Sequence, residues 1–172
     1  MKRLLLVLFA LLPLCGFAQE GEVRRVEGSI SLGASFFEDN FYDSTAGEIG
    51  LLSSVELRYN FRGVPMDVGI MSVVDIRGGD CELCNGSWEN NLSFLAVTDY
   101  NFRRGNKVSY FVGAGVGATF YNADTTKLCF MPRVGMEFFN HLRLTMAYMV
   151  GPKAKNTLNL TLGVAIGGGR KK

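Results

Sequence analysis

The sequence alternates between apolar and polar residues over much of its length, and residues 53–62 show this most clearly. Successive side chains of a β-strand point to opposite faces, so this segment would carry one apolar and one charged face. Val55, Leu57, Tyr59 and Phe61 form the apolar set, and Ser54, Glu56, Arg58, Asn60 and Arg62 form the polar set. One face is therefore suited to a hydrocarbon environment, and the other to water or ion pairs.

The same alternation predicts eight strands, and residues typical of turns separate them. The predicted strands are residues 26–36, 49–61, 67–77, 91–102, 107–121, 128–138, 142–150 and 157–166. Pro132 weakens the sixth, because proline cannot donate to a strand ladder. The connections run long, short, long, short, medium, short, medium, as expected for an all-β, antiparallel, up-and-down transmembrane β-barrel whose short turns face the periplasm. This orientation places Pro65, Arg104 and Asn140 at the periplasmic rim.

Alternation alone does not separate a membrane barrel from a soluble, lipocalin-like barrel with an apolar lumen. Aromatic residues favour the membrane, since they cluster on the apolar face near both rims, as in lipid-facing girdles. Charged residues share the opposite face, where mixed signs allow pairing inside a lumen. The predicted lumen network is Glu56, Arg58, Arg62, Asp67, Asp75, Arg77, Asp99, Arg133, Glu137 and Arg143. With glycines making room on that face, we expect a lumen plugged by side chains.

Two pairs of oppositely charged residues in this network flank short turns and are candidate cross-strand ion pairs. They are Glu137 with Arg143 and Arg62 with Asp67.

The chain begins with a basic tripeptide and a short apolar run, which predicts a signal peptide over residues 1–18 and a barrel domain over residues 19–172. The apolar run is shorter than the roughly 20 residues of a spanning helix. A lipoprotein leader, with Cys15 as the lipid-bearing residue, is the alternative. The net charge of +2 is too small to indicate a nucleic-acid partner.

Cysteine and histidine residues provide the candidate chemistry. Cys81 and Cys84 lie in a predicted loop, and Cys129 is placed at the neighbouring rim. A disulfide within the loop, or one that includes Cys129, is preferred over redox or metal chemistry, because neither a βαβ context nor four ligands are present. His141 is the only histidine and lies in a short turn, so we expect no catalytic site, cofactor or metal.

These features together resemble the small OmpA/OmpX-type outer-membrane barrels. The resemblance implies a bacterial outer-membrane location, contact with outer-membrane lipid and insertion by the barrel assembly machinery. That family favours a terminal aromatic residue, whereas this chain ends GGGRKK.

We therefore expect a non-enzymatic barrel that anchors loops 37–46 and 78–90 for contact with the envelope or an unknown external partner. A lipid-modifying outer-membrane enzyme and a soluble barrel binding an apolar ligand are the alternatives.

Overall fold

The computed structural model describes residues 24–37, 49–78, 88–104, 106–121, 125–151 and 156–167. Each predicted strand is present, with ends that differ from the sequence-based bounds by at most three residues. The strands are β1 (Val26–Phe37), β2 (Ile49–Asn60), β3 (Met66–Gly78), β4 (Trp88–Phe102), β5 (Val108–Tyr121), β6 (Thr125–Phe138), β7 (Leu142–Met149) and β8 (Thr157–Ile166).

Every strand pairs antiparallel with the next, and β1 pairs antiparallel with β8, so the sheet closes into a barrel without a free edge. The predicted eight-stranded, all-β, up-and-down barrel is therefore confirmed. β4 and β6 begin earlier than predicted because their ladders continue towards the long-loop rim, where Gly78 pairs with Trp88 and Tyr121 pairs with Thr125.

The ladder between β6 and β7 is interrupted at Pro132. Pairing runs from Phe138 and Leu142 to Arg133 and Ala147, and it resumes at a bridge between Phe130 and Val150. In an antiparallel ladder the doubly hydrogen-bonded pairs recur every second residue, which makes position 132 the next donor after Phe130. Proline has no N–H to donate, so the ladder skips this step.

The connection between β6 and β7 is a three-residue hairpin loop, residues 139–141. Phe139 and Asn140 both have positive φ, at 54° and 58°, and the His141 N–H donates to the Phe138 carbonyl at 3.0 Å. Positive φ at both central residues is the requirement of a type I′ turn, whose twist matches that of the flanking strands.

The outer face of the barrel is apolar, and its inward residues near the short turns are charged or polar. Ile30, Ile70 and Leu128 point outward and are 62%, 67% and 71% exposed, whereas Asp67 and Arg143 point inward and are 0% and 2% exposed. The inward positions near the short turns therefore carry charge, unlike those of the apolar lumen in the soluble, ligand-binding alternative. Within the described part of the chain no helix is long and apolar enough to cross a membrane.

Candidate functional site

A cluster of charged side chains fills the lumen near the short-turn rim, and Arg133 lies at its centre. From β6, its guanidinium donates to Glu56 of β2 at 2.6 and 3.1 Å and to Asp99 of β4 at 2.8 Å twice. Such two-point pairing fixes orientation as well as charge. Arg133 therefore joins three strands that are not all neighbours in the sheet.

Arg143 completes the β6 and β7 side of the cluster. Its guanidinium donates to Asp99 at 2.5 Å and lies 3.7 Å from Glu137, its directly opposite partner across the turn. It also stacks 3.7 Å from the ring centroid of Phe111, an inward residue of β5. A cation over an aromatic face is favourable, more so when both are removed from water.

Arg58 occupies the β2 side of the same space. It donates to Glu27 of β1 and lies 3.6 Å from Glu56. Asp67 and Asp99 are each 4.0 Å from its guanidinium. Several carboxylates thus share one cation, as expected where water is excluded and each charge needs counter-charges nearby.

Arg104 closes the cluster at the short-turn end. It folds back from the turn after β4, donates to the side chain of Asn60 and lies 3.4 Å from Asp67. Asn101 also donates to Asp67, at 2.8 Å. The strand ends and this turn together cover the charged interior.

The full cluster contains nearly equal numbers of opposite charges. Its five carboxylates and four guanidinium groups belong to Glu27, Glu56, Asp67, Asp99 and Glu137 and to Arg58, Arg104, Arg133 and Arg143. Arg58 Nε and Arg143 Nη1 have no hydrogen-bond partner among the described residues but lie 3.6 and 3.7 Å from carboxylate oxygens. The arrangement neutralises charge across the lumen and holds its strands in fixed relation.

Apolar side chains fill the middle of the lumen above the charged cluster. They are Leu52, Met71, Val73, Leu95, Val97, Cys129, Met131 and Ala147. Met71 joins the two layers, since its sulfur lies 3.5 Å from the Arg133 guanidinium. The hydrophobic core of this protein is therefore a layer inside the barrel.

Small polar side chains form a third layer near the long-loop rim. Ser35 donates to Asp75 at 2.7 Å, and the hydroxyls of Ser93 and Thr119 lie 2.8 Å apart. A cavity of about 20 Å³ is lined by Asp75, Ser93 and Thr119 and also by Asn159, whose buried Oδ1 has no hydrogen-bond partner in the described part of the chain. That volume suits about one water molecule.

The structure places some predicted site residues differently. Arg62 is exposed in the turn after β2 and does not lie in the lumen, and Asp67 contacts Arg58 and Arg104. Alternation ceases at Asn60, where β2 ends, and it therefore gives no orientation for Arg62. Asp75 is buried in the outer polar layer, away from the cluster, and the side chain of Arg77 lies outside the described residues.

The predicted lumen network lacked two members of the cluster, Glu27 and Arg104, and two amide side chains that contact it, Asn60 and Asn101. Glu27, Asn60 and Asn101 share the alternation of charged neighbours on their own strands and could have been found by it. Arg104 lies in a turn, where no alternation exists to indicate that it points inward.

The candidate chemical groups take no part in the charged cluster. Cys129 is a free, buried thiol in the apolar layer, so neither predicted pairing that includes it is formed. Cys81 and Cys84 lie outside the described residues, as does the predicted leader. His141 is exposed in its turn, with Nδ1 3.2 Å from the Ala165 carbonyl oxygen. Among the described residues no group of three or more histidine, cysteine or acidic side chains could hold a metal ion.

The fold is that of the small outer-membrane barrels, and comparison with solved structures supports this. The chain is similar to neisserial surface protein A, with a TM-score of 0.62 and 11% identity over 85% of this chain and 99% of that one. It is also similar to the outer membrane enzyme PagL, with a TM-score of 0.52 and 16% identity over 81% and 98%. The outer membrane protein Ail of Yersinia pestis gives 0.50 and 18% over 86% and 100%. No protein-family model and no curated protein matches the sequence.

The resemblance to OmpA/OmpX-type barrels is thus confirmed in the fold. The same fold occurs in a protein described as an enzyme, so fold alone does not decide catalytic function.

Proposed function

We propose that this protein is an integral barrel of the bacterial outer membrane that has a closed lumen and serves as a non-enzymatic anchor for its long loops. The observation that carries the proposal is the reversal of polarity between the two barrel faces. Val116 and Leu160 lie on the outer face at mid-strand, are 59% and 46% exposed, and belong to a continuous apolar surface. Soluble monomers rarely expose an apolar band of this extent to water, whereas a membrane barrel presents one to lipid.

Aromatic pairs near the rims support the same placement. Tyr59 and Phe61 pack edge to face at 5.5 Å near the short turns, and Phe94 and Phe120 do so at 6.2 Å towards the long loops. Aromatic rings at both ends of an aliphatic band suit the two membrane interfaces.

Gel mobility and a pair of matched variants test membrane insertion. The protein from urea-washed outer membranes should migrate faster unboiled than boiled. Val116→Arg should lower the free energy of unfolding by about 2 to 4 kcal/mol, because the substituted arginine would face lipid near the midplane of the bilayer. Leu160→Arg should behave similarly. Val26→Arg is the matched control at the rim and should cost no more than about 1 kcal/mol. Equal behaviour of Val116→Arg and Val26→Arg would reject the lipid-facing assignment.

The closed lumen is supported by the stacked charged and apolar layers. A charged cluster that is capped by the buried apolar side chains Leu52 and Met131 offers no continuous polar path for an ion. Purified protein in planar bilayers should therefore give no conductance steps. Stable steps from the wild-type protein would disprove this part of the proposal.

The non-enzymatic role is supported by the position of His141, which lies at the short-turn rim beside the Ala165 carbonyl. No other histidine exists in the sequence to act as a base near the long loops. Lipid A from cells lacking the protein should show the same acylation by mass spectrometry. Altered acylation, restored by the wild-type gene but not by a loop-deleted form, would favour the enzyme alternative.

Insertion by the barrel assembly machinery and contact of the long loops with the envelope or an external partner complete the proposal. Depletion of that machinery should abolish the heat-shifted band. Replacing residues 79–87 by a short turn should leave the band intact, because β3 ends at Gly78 and β4 begins at Trp88.

A further inference from the structure

Among the described residues, acidic side chains are buried, whereas the exposed charged side chains near the short turns are basic. Every described acidic side chain is buried in the lumen, as the residues Glu27, Glu56, Asp67, Asp75, Asp99 and Glu137 show. The exposed charges near the short turns are all basic in the described part of the chain. Arg62, Arg103 and Lys107 lie in the adjacent turns after β2 and β4, and we call these three the basic rim.

A groove lies on the outer face of the same strands, β2 to β5. Its volume is about 510 Å³, and its lining is almost entirely apolar, including Leu57, Ile70, Phe94 and Val116. Ser72 and Ala96 are the short side chains that form the depression, since Ala96 lies directly between Ile70 and Val116 in the sheet. The groove and the basic rim therefore occupy one sector of the barrel.

The spacing between groove and rim matches one leaflet of a bilayer. Ala96 and Arg103 are seven residues apart on one chain segment, which corresponds to a rise of about 23 Å along a strand. A tilt of about 45° reduces this to about 16 Å along the membrane normal, and half of a hydrocarbon core of about 30 Å is about 15 Å. The tilt also displaces Arg103 sideways around the barrel by a similar distance, so a headgroup at the rim would place its acyl chain in the groove when that chain runs along β4.

Aromatic residues next to the basic rim set its depth. Phe61 is 41% exposed and immediately precedes Arg62, while Phe102 precedes Arg103. Rings of this kind lie at the membrane interface, so the adjacent cations lie at the level of lipid phosphates.

We propose that the β2 to β5 sector binds an anionic phospholipid of the leaflet at the short-turn rim. The phosphate and headgroup contact Arg62, Arg103 and Lys107, and one acyl chain occupies the groove around Ala96. This inference depends on the proposed membrane location and adds a ligand class to it.

Electron paramagnetic resonance with spin-labelled lipids tests the proposal in vesicles of phosphatidylcholine that contain the full barrel. Spin-labelled phosphatidylglycerol should associate with the wild-type protein about fivefold or more in excess over spin-labelled phosphatidylcholine, the factor expected of a single basic side chain at an anionic surface. The excess should fall with added salt because the contacts are screened.

Two pairs of variants separate the headgroup contact from the acyl contact. The triple variant R62Q/R103Q/K107Q should lose the preference, and Lys127→Gln, a basic side chain near the long-loop rim, should retain it. Ala96→Phe should fill the groove and weaken phosphatidylglycerol association, and Leu162→Phe on the opposite wall should not. Equal association of both lipids with the wild-type protein, or a preference that survives in the triple variant, would overturn the headgroup assignment. Identical behaviour of Ala96→Phe and Leu162→Phe would overturn the groove assignment.

The gel mobility of unboiled and boiled samples shows whether membrane insertion has failed or only the proposed lipid site. A wild-type protein without a heat-shifted band in these vesicles would reject membrane insertion and the lipid site together. A normal shift with no lipid preference would reject the lipid site alone.

Discussion

The short-turn end of the lumen and its middle are filled by opposite chemistry. Near the short turns, Arg133 and its neighbours form a buried cluster of ion pairs, whereas the middle contains apolar side chains such as Leu52 and Met131. Charge pairing is directional and specifies partners, and apolar packing is tolerant of partner identity. The comparison indicates that the charged end defines which strands face one another, and the apolar layer excludes water.

The charged and apolar layers also differ in how they respond to the loss of one side chain. Removing one member of a buried ion pair leaves an uncompensated charge, whereas removing an apolar side chain leaves a cavity. Substitutions in each layer therefore provide a direct way to test the comparison.

Arg133→Met should produce the largest effect, because it leaves Glu56 and Asp99 without their two-point partner. We expect a loss of about 3 to 5 kcal/mol in the free energy of unfolding, measured by urea titration of the barrel in vesicles. The triple variant E56Q/D99N/R133M should recover much of this loss, because it removes both signs of charge together. A single variant as stable as the wild-type protein would show that the cluster does not stabilise the barrel.

Leu52→Ala should produce a smaller effect in the apolar layer. Leu52 is 2% exposed, and truncation of such a side chain costs about 2 to 4 kcal/mol when the site does not collapse. Leu51→Ala is the matched control, since Leu51 is the neighbouring residue, points outward and is 63% exposed. Urea titration should show little change for the control. Equal losses for both variants would contradict the assignment of the core to the interior of the barrel.

Strand number, pairing order and facing could be predicted from the sequence because each depends on local alternation. Glu56, Arg58 and Arg143 therefore lie inside as predicted, and Val116 and Leu160 lie outside. The pairing within the lumen could not be predicted, because Glu56 and Arg133 are separated by 77 residues and meet only through the stagger of the closed barrel. Turn residues were equally beyond prediction. Arg62 and Arg104 both follow strand ends, yet one is exposed and the other is buried.

Two glycines of β5 allow the charged and apolar layers to be compared within a single strand. A Cβ added at Gly113 would collide with the Asp99 carboxylate and the Thr98 carbonyl, whereas one at Gly115 would meet Val97, Leu95 and Met131 at 3.1 to 3.3 Å. Gly113→Ala displaces a carboxylate that pairs with two arginines, so we expect a loss of about 1 to 3 kcal/mol.

Gly115→Ala meets only apolar side chains whose ends can shift, and it should cost less than about 1 kcal/mol. Because the two positions are separated by one residue and share one face, the difference between their urea midpoints isolates the chemistry of the layer from the strand itself. A larger loss for Gly115→Ala would mean that the apolar layer, and not the charged cluster, is the less adaptable part of the lumen.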